Sequence, residues 1–205
     1  MMTEEMIKKL PREVREEVLK GGRKAKLLHF GSGQEYLEGW DNADIRGADL
    51  NFDFEKFPYP IRANAYDLVY SAGVLDHLKD YFGVMRELYR IIKTNGRLII
   101  EVPFYHCQTS WFPTHYQHFT YLHFYGFSPD HRKNFTEENK MDFENACFRI
   151  IKFRTIPGPV GKWIPDLRMG GHLGLRYALG MVFGEIVQRI IVVLEKIDRE
   201  ETRSK

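Results

Sequence analysis

The stretch KLLHFGSGQEY, Lys26 to Tyr36, decides how the rest of the chain is interpreted. An apolar run ends at the Gly31–Gly33 turn, where missing side chains let backbone amides approach a ligand closely. A dinucleotide-binding turn needs a third glycine at the position of Tyr36. The first acid suited to a ribose is Asp44, well short of the roughly 20-residue spacing of the dinucleotide motif. The stretch therefore predicts a nucleotide-binding turn with a shortened first helix and argues against NAD. A plain tight exit from a strand is the alternative.

The composition indicates one compact domain, 1–205. The chain has 205 residues, of which 43% are hydrophobic and 14% aromatic, enough to bury a substantial core. Lys and Arg number 30 against 28 for Asp and Glu, and both signs are mixed along the chain, so nucleic acid is not an expected partner. The two cysteines, Cys107 and Cys147, are far apart and outside any CxxC pair. They argue against a disulfide scaffold or structural zinc site and favour a reducing, cytosolic setting.

The N-terminal segment, 1–25, is predicted to be helical, with one or two amphipathic turns interrupted near Pro11. It mixes acids and bases and lacks the apolar core of a signal peptide. The most apolar late stretch, Ala178 to Leu194, is broken by Glu185 and Arg189, so it is shorter than the roughly 20 apolar residues that a membrane span needs. We expect a soluble, cytoplasmic protein without a membrane span.

Apolar runs alternate with amphipathic stretches as far as Pro103, a rhythm typical of parallel βαβ units. A helix is predicted over Tyr81–Ile92, because its apolar side chains recur on one face, with Asn95-Gly96 as its left-handed stop. The chain is therefore predicted to be α/β with a mostly parallel sheet. The predicted strands of this part are Lys26–Phe30, Trp40–Ile45, Tyr66–Ser71 and Arg97–Val102.

The pattern changes in residues 104–146, which include an aromatic and histidine-rich run, Phe104 to Phe127, with the period of neither a strand nor a helix. We interpret 104–146 as a lid or substrate-facing insertion over the carboxyl edge of the sheet. A packing role for its aromatic residues is the alternative. Beyond it, Phe148–Ile156 and Val187–Ile197 are rich in β-branched residues and predict a C-terminal antiparallel strand pair that closes the sheet. A short helix is predicted near Leu173–Phe183.

Five motifs between Lys26 and Pro103 follow one another in the order seen in class I methyltransferases. They are LLHFGSG, GWDNADI, ADLNFDFEKFPYP, AYDLVYSAGVLDHL and MRELYRIIKTNGRLIIEVP. This part of the chain resembles the small type 11 group of S-adenosylmethionine-dependent methyltransferases, which implies a Rossmann-like fold and S-adenosyl-L-methionine as cofactor. Three positions depart from the group's pattern: the third glycine is missing, Asp76 replaces the usual Glu, and Asn95 replaces the first glycine of the late turn.

The resemblance implies that the glycine turn and the end of the second strand hold the cofactor. The turn would pass under the amino-acid part of the cofactor. Asp44 would accept hydrogen bonds from both ribose hydroxyls, because an ionised acceptor makes the stronger bond; a turn cap is its alternative role. The turn residues are Gly31, Ser32 and Gly33.

The adenine and the methyl group are assigned to later positions by the same resemblance. Asp53 would accept from the exocyclic amine and Phe54 would pack on the base, with core packing as the alternative for Phe54. Small residues after the YDLVY strand would leave room for the cofactor at the carboxyl edge of the sheet. They are Ser71, Ala72 and Gly73.

Histidines supply the candidate catalytic residues. His77 follows the strand that would border the methyl group, and His106 and His115 lie in the aromatic insertion. A neutral imidazole could remove a proton from a hydroxyl or amine acceptor, although a structural role is the alternative for His77. His115 and His118 have HxxH spacing, but no nearby pair of carboxylates or cysteines completes a clear ligand set. No metal is predicted.

The predicted function is methyl transfer from S-adenosylmethionine to an oxygen or nitrogen of a small-molecule or glycan-type acceptor. The glycan class comes from an analogy between a lid pattern here, Val102-Pro103 followed by Pro113, His115 and Phe119, and lids in methyltransferases of cell-surface glycan or secondary metabolism. One alternative is a non-catalytic nucleoside-binding or interaction module, which the divergent turn leaves open. A nicotinamide-dependent oxidoreductase is the other, against which Tyr36 argues. No oligomeric state is predicted.

Overall fold

The computed structural model describes residues 4–21, 25–132, 135–136, 143, 145–165 and 174–198. Within them, seven strands form a single sheet. The strands are apolar runs separated by turn residues, as the sequence pattern predicts. The strands are β1 Leu27–Phe30, β2 Asp41–Asp44, β3 Leu50–Asn51, β4 Tyr66–Ala72, β5 Ile92–Pro103, β6 Phe148–Pro157 and β7 Val187–Lys196.

The sheet has the order β3-β2-β1-β4-β5-β7-β6. Strands β1 to β5 pair in parallel, while β7 runs antiparallel to both β5 and β6. The predicted mostly parallel sheet with a C-terminal antiparallel pair is confirmed. Because β1 and β4 are central neighbours that leave the sheet in the same direction, the loops after them face each other at its carboxyl edge.

Six helices lie among the described residues. The helix with the clearest sequence signal, α3 Tyr81–Ile91, begins after Asp80, whose side chain accepts a hydrogen bond from the Gly83 amide at 2.7 Å. None of these helices has the length and apolar character needed to cross a membrane. The helices are α1 Glu4–Lys9, α2 Arg12–Gly21, α3 Tyr81–Ile91, α4 Leu122–Tyr125, α5 Pro129–Arg132 and α6 Leu175–Val182.

The predicted role of Asn95-Gly96 as the stop of α3 was wrong, although the predicted end of the helix differs by only one residue. The helix ends at Ile91, and Ile92 already has extended backbone angles (φ −78°, ψ 140°). Asn95 does adopt a positive φ of 63°, but it does so within β5. The pairing with β4 is irregular there, between Tyr66 and Leu68, so Asn95 serves a strand irregularity rather than a helix end.

The two faces of the sheet are covered unequally. Helix α3 and the aromatic insertion cover one face over a large apolar core. The other face receives mainly α2, whose Val14 and Val18 pack with strand residues such as Ile99. Residues 31–40, all of which are described, hold turns and no helix. The shortened first helix that the sequence predicts is therefore missing altogether, and α2 leaves part of this face uncovered.

The aromatic insertion is not a lid throughout. Four of its phenylalanines are completely buried in the core of the α3 face, which agrees with the packing interpretation. Three other aromatic side chains expose more than half of their surface, namely Trp111, Phe112 and Tyr116. Parts of the predicted 104–146 segment, at 133–134, 137–142 and 144, lie outside the described residues. The four buried side chains are Phe104, Phe119, Phe124 and Phe127.

Candidate cofactor and catalytic site

The glycine turn is tied to the end of β2 by its own backbone. The amides of Gly31 and Ser32 both donate to the Ala43 carbonyl, at 2.8 and 3.0 Å. Gly31 has a φ of +79°, and a Cβ added to it would lie 2.1 Å from Cγ2 of Val74. Only glycine fits at this point, because the loop after β4 lies directly against the turn.

Asp44 holds the other side of the turn. Its Oδ2 accepts from the Gly33 amide and its Oδ1 from the Ile45 amide, both at 2.7 Å. The carboxylate therefore acts as a turn cap, the alternative role expected for it from the sequence. Each carboxylate oxygen has a second lone pair, so Asp44 can also accept from a ligand hydroxyl. The two roles are compatible, and ribose binding by Asp44 stays a prediction.

A cavity of about 710 Å³ opens beside the glycine turn, within the size range of small-molecule sites. We call it the glycine-turn cavity. Gly33 lines one rim, and Ala72 and Gly73 line the other. Gly33 and Gly73 have φ values of +52° and +61°, and a Cβ on either would meet nothing within 4 Å. Both rims thus present open backbone to whatever occupies the cavity.

The floor of the cavity is polar, which the sequence did not predict. His29, Tyr70 and Glu101 are buried side chains of the sheet face and line the cavity. Burial raises the pKa of Glu101, against the opposing effect of its ion-pair partner Arg189. Burial also lowers the pKa of His29, whose Nδ1 has no hydrogen-bond partner among the described residues. These groups form the floor of a cavity because residues 31–40 contain no helix that would fill the space above them.

Asp53 and Phe54 do not line this cavity. Phe54 is buried and stacks on Phe30 with ring centroids 3.9 Å apart, so it packs in the core, the alternative role expected for it. Asp53 accepts from the Glu55 amide at 3.0 Å and lies 3.3 Å from Nζ of Lys56; these two contacts lower the pKa of Asp53. Contact of either residue with an adenine stays a prediction.

Two of the three predicted catalytic histidines lie together. The His115 Nε2 is 3.1 Å from Oδ2 of Asp76, and the His77 Nε2 is 3.8 Å from the same oxygen. The two imidazole rings are perpendicular, with centroids 4.4 Å apart. We call these three residues the histidine cluster. His106 is not part of it, because its Nδ1 lies 3.2 Å from the carbonyl of Gly180 in α6.

Backbone hydrogen bonds hold the cluster in place. The Asp76 carbonyl accepts from the Tyr116 amide at 2.7 Å, which joins the loop after β4 to the aromatic insertion. Nδ1 of His77 lies 3.2 Å from the Thr114 carbonyl, and since a carbonyl only accepts, this nitrogen carries the proton. Asp76 was noted in the sequence only as a departure from a family pattern. Its contact with His115 could not be found there, because the two residues lie in separate loops.

Known methyltransferases share part of this sequence and this fold. A family model of the methyltransferase domain matches residues 34–100. Among functionally curated proteins, none matches the sequence. An S-adenosylmethionine-dependent methyltransferase from Archaeoglobus fulgidus is 14% identical, over 90% of this chain and 91% of that one, with a TM-score of 0.56. A 1,6-didemethyltoxoflavin-N1-methyltransferase from Burkholderia thailandensis, with bound 1,6-didemethyltoxoflavin and S-adenosylhomocysteine, is 13% identical over 89% and 75%, with a TM-score of 0.52.

The sheet order, the glycine turn and these matches define a class: this is a protein with the Rossmann-like fold of class I S-adenosylmethionine-dependent methyltransferases. More narrowly, its residues 34–100 match the type 11 methyltransferase domain. The fold predicted from the sequence is confirmed; the match over residues 34–100 supports the predicted family, and the same comparisons indicate S-adenosylmethionine as the cofactor. The [4+2]-cyclase SpnF is also similar, at 14% identity over 90% of this chain and 79% of that one, with a TM-score of 0.53. Fold alone therefore does not fix the reaction.

Proposed function

We propose that the protein transfers a methyl group from S-adenosylmethionine to an oxygen or nitrogen atom of a small-molecule or glycan-type acceptor. The observation that carries this proposal is the glycine-turn cavity, which the open backbone of Gly33 and that of Gly73 both line, with the turn itself capped by the Asp44 carboxylate. The family match over residues 34–100 supports the same donor. The acceptor class comes from the chemistry of the surrounding loops.

The cavity fits this cofactor better than a dinucleotide. A pyrophosphate binds at a helix N-terminus that follows the glycine turn, and residues 31–40, all described, contain no helix. S-adenosylmethionine carries no phosphate, so it does not need that helix. Its amino-acid part has an ammonium and a carboxylate, and the cavity lining offers both signs of charge, including Glu101 and Arg189. This comparison argues against the nicotinamide-dependent alternative.

When bound, S-adenosylmethionine would supply an electrophilic methyl group on a sulfonium, with a neutral thioether as the leaving group. The chain's task is to align the acceptor with that methyl group and to remove the acceptor's proton. The histidine cluster carries the groups for the second task, with Asp76 and His77 in the loop after β4 and His115 in the aromatic insertion. His77 and His115 are accordingly the catalytic residues that we propose, whereas His106 lies apart from them, beside the Gly180 carbonyl.

The acceptor side of the site is aromatic. Trp111, Phe112 and Tyr116 expose more than half of their side-chain surface, and they precede or flank His115 in the chain. The Phe112 ring lies beside His115, with centroids 6.1 Å apart, and aromatic rings pack well on the flat faces of heterocycles and sugars. These three rings support a cyclic acceptor, either a small heterocycle or a sugar unit of a glycan.

Binding of S-adenosylhomocysteine, the demethylated cofactor, tests the donor site. We expect a micromolar Kd by calorimetry, equivalent to about −8 kcal/mol, and weakening by roughly 10-fold or more in Asp44→Asn. Asp49→Asn is the matched control, because Asp49 accepts three hydrogen bonds, from the Tyr36 hydroxyl and from the amide and side chain of Asn42, none of them from the glycine turn. Absence of heat at millimolar ligand would remove the methyltransferase proposal and favour the interaction module.

Turnover tests the acceptor side. A panel of phenols, heterocyclic amines and oligosaccharides would be screened for acceptor-dependent formation of S-adenosylhomocysteine. With any acceptor found, we expect His115→Ala to lower kcat by about 100-fold, the usual loss when a group that handles the proton is removed, with cofactor affinity unchanged. His106→Ala is the control and should keep its activity. Equal rates for wild type and His115→Ala would exclude His115 from catalysis.

A further inference from the structure

We infer that the histidine cluster, Asp76, His77 and His115, binds a divalent first-row transition metal ion, for which Zn²⁺ is the reference probe. One ligand atom from each residue lies within 4.8 Å of the other two. The atoms that converge are Nε2 of both histidines and Oδ2 of Asp76, with nitrogen-to-oxygen distances of 3.1 and 3.8 Å. Ligand atoms of a tetrahedral Zn²⁺ site lie roughly 3.3 Å apart, given metal–ligand bonds of about 2.0 Å.

The hydrogen bond made by His77 is that of a metal-ligating histidine. A ligating histidine donates its other ring N–H to a carbonyl or carboxylate, which fixes the tautomer. Nδ1 of His77 meets this requirement at the Thr114 carbonyl, 3.2 Å away, so its Nε2 lone pair points at the cluster. The Tyr116 amide holds the Asp76 carbonyl at 2.7 Å and thereby places the two loops against each other without a ligand.

Two buried polar atoms of the cluster have no partner among the described residues, Oδ1 of Asp76 and Nδ1 of His115. Asp76 is 1% exposed, and a carboxylate so deeply buried is costly unless it is paired with a cation or hydrogen-bonded on all sides. No Lys or Arg is paired with it within the part of the chain that the structure describes. A divalent cation would supply the compensating charge.

The ligand types select the metal. Two imidazoles and one carboxylate suit Zn²⁺, Fe²⁺ or Mn²⁺, whereas Mg²⁺ prefers an all-oxygen set. The HxxH pair considered from the sequence is not the site, because His118 stacks on Trp111 with centroids 4.2 Å apart and lies 3.2 Å from Ser110 Oγ. The ligand that the sequence lacked near His115 is Asp76, which the loop after β4 supplies.

The number of protein ligands indicates what the metal does. Three protein ligands leave a coordination position open, which is typical of catalytic rather than structural sites. An acceptor hydroxyl bound there would lose its proton to water more easily, because a metal ion lowers the pKa of a coordinated oxygen. The metal would then activate the acceptor, with His115 and His77 acting as ligands rather than as bases. This role rests on the proposed methyl transfer, whereas metal binding itself does not.

Metal binding is tested on tag-free protein dialysed against EDTA. Titration with Zn²⁺ in competition with a chromogenic chelator should show one equivalent bound at micromolar or lower Kd. Affinity should fall by at least about 100-fold, equivalent to roughly 2.7 kcal/mol, in both Asp76→Asn and His77→Gln. The matched control is His118→Gln, a histidine of the same loop region outside the cluster, and it should bind like wild type. Melting curves without metal establish that each variant is folded.

Several outcomes would overturn the inference. They are the absence of a saturable equivalent in wild type, equal affinity in folded Asp76→Asn, and equal loss in His118→Gln. S-adenosylhomocysteine binding, measured on the same EDTA-treated samples, separates this inference from the proposed function. Cofactor binding without Zn²⁺ binding would sink the metal site and leave the methyltransferase standing. Zn²⁺ binding without cofactor binding would do the reverse.

Discussion

Two glycines of one turn have different tasks. At Gly31 a Cβ would come within 2.1 Å of Val74, so a side chain there would push away the loop after β4. At Gly33 a Cβ would meet nothing within 4 Å and would enter the glycine-turn cavity. Gly31 is therefore required by the fold, whereas Gly33 is open to a test of ligand binding that leaves the fold in place.

We predict that Gly33→Ala weakens S-adenosylhomocysteine binding by about 10-fold, or 1.4 kcal/mol, because the methyl group occupies space that the ligand needs. The variant also carries backbone strain of roughly 1 kcal/mol for a non-glycine residue at positive φ. Gly47→Ala is the control, since Gly47 has a φ of +74°, an equally open Cβ position and no place in the cavity lining. If both variants bind like wild type in calorimetry, the ligand does not pass over Gly33.

The buried His123 makes the stability of the folded protein sensitive to acid. Burial, followed by the nearby His118, lowers the pKa of His123 from 6.5 to about 4. The unfolded chain therefore binds a proton at a higher pH than the folded one. By linkage, the stabilisation is fully present above pH 6.5 and is lost progressively as the pH falls toward 4.

We predict that the free energy of unfolding in urea declines between pH 6.5 and 4, and that His123→Phe flattens this decline. Phenylalanine keeps the ring against Phe119, 4.9 Å away in wild type, but cannot titrate. Measurements at pH 7 and 8 serve as the reference, because His123 is neutral there in both states. A decline of the same size in His123→Phe would place the titrating group elsewhere.

Individual site residues were predictable only where their chemistry is local. The turn glycines and Asp44 stand out because a strand exit and an acid on the next strand are visible in the sequence. The polar character of His29 and Glu101 was hidden inside strands that read as ordinary core. The partnership of Asp76 with His115 depends on a hydrogen bond between two loops, and nothing in either loop's own sequence specifies it.

At the scale of elements, α2 replaces the missing helix after β1 only in part. Its Glu13 is buried and lies 2.7 Å from Nη1 of Arg154 and 3.4 Å from Nζ of Lys152, both on β6. Burial raises the pKa of Glu13, but the Arg154 hydrogen bond and the two positive charges outweigh it, so that the pKa is lowered. The helix is thus fastened to the far edge strand by charge as well as by its apolar face.

We predict that Glu13→Gln destabilises the protein by about 2 kcal/mol in urea unfolding at pH 7, in the range expected when a buried charge-assisted hydrogen bond is lost. Because its folded pKa is lowered, the contribution of Glu13 is present above pH 4.5 and disappears as the pH falls through the folded value. Glu16→Gln is the control, because Glu16 bonds Lys152 and Arg12 at the surface and should cost less than about 1 kcal/mol. Equal losses for the two variants would contradict a special role for Glu13.

The elements were predicted well where their period was long and clean. Strand β4 was predicted to end at Ser71 and ends at Ala72; α3 was predicted to end at Ile92 and ends at Ile91. The aromatic insertion was predicted less well, because its buried and exposed rings alternate without a period. Which of its rings is buried depends on tertiary packing, such as that of Phe119 against Tyr81 of α3 and of Phe104 against Tyr177 of α6, rather than on local pattern.

At the scale of the whole molecule, alternating apolar and amphipathic stretches were enough to predict a parallel α/β sheet, because parallel strands need crossover connections. They were not enough to reveal that the first crossover has no helix. The short spacing from Gly33 to Asp44 predicted a shortened helix. The ten residues between β1 and β2 are few for a helix and its two loops. Because no helix lies in this connection, the glycine-turn cavity opens onto the sheet face. The short connection between β1 and β2 thus shapes both the fold and the candidate site.

Ligand binding should therefore raise the stability of the whole molecule, since the cavity is lined by residues of β1, β4 and β5 together with α2. At a ligand concentration of 100 times Kd, binding to the native state alone adds about 2.7 kcal/mol of stability. For a chain of this size that corresponds to a rise in Tm of roughly 5–10 °C.

We predict this rise in differential scanning fluorimetry with S-adenosylhomocysteine and with S-adenosylmethionine, and no rise with NAD, whose pyrophosphate finds no helix N-terminus among residues 31–40. The Asp49→Asn variant should respond like wild type and Asp44→Asn should respond less. A rise with NAD equal to that with S-adenosylhomocysteine would show that the cavity does not discriminate by the absence of phosphate, and it would return the oxidoreductase to consideration.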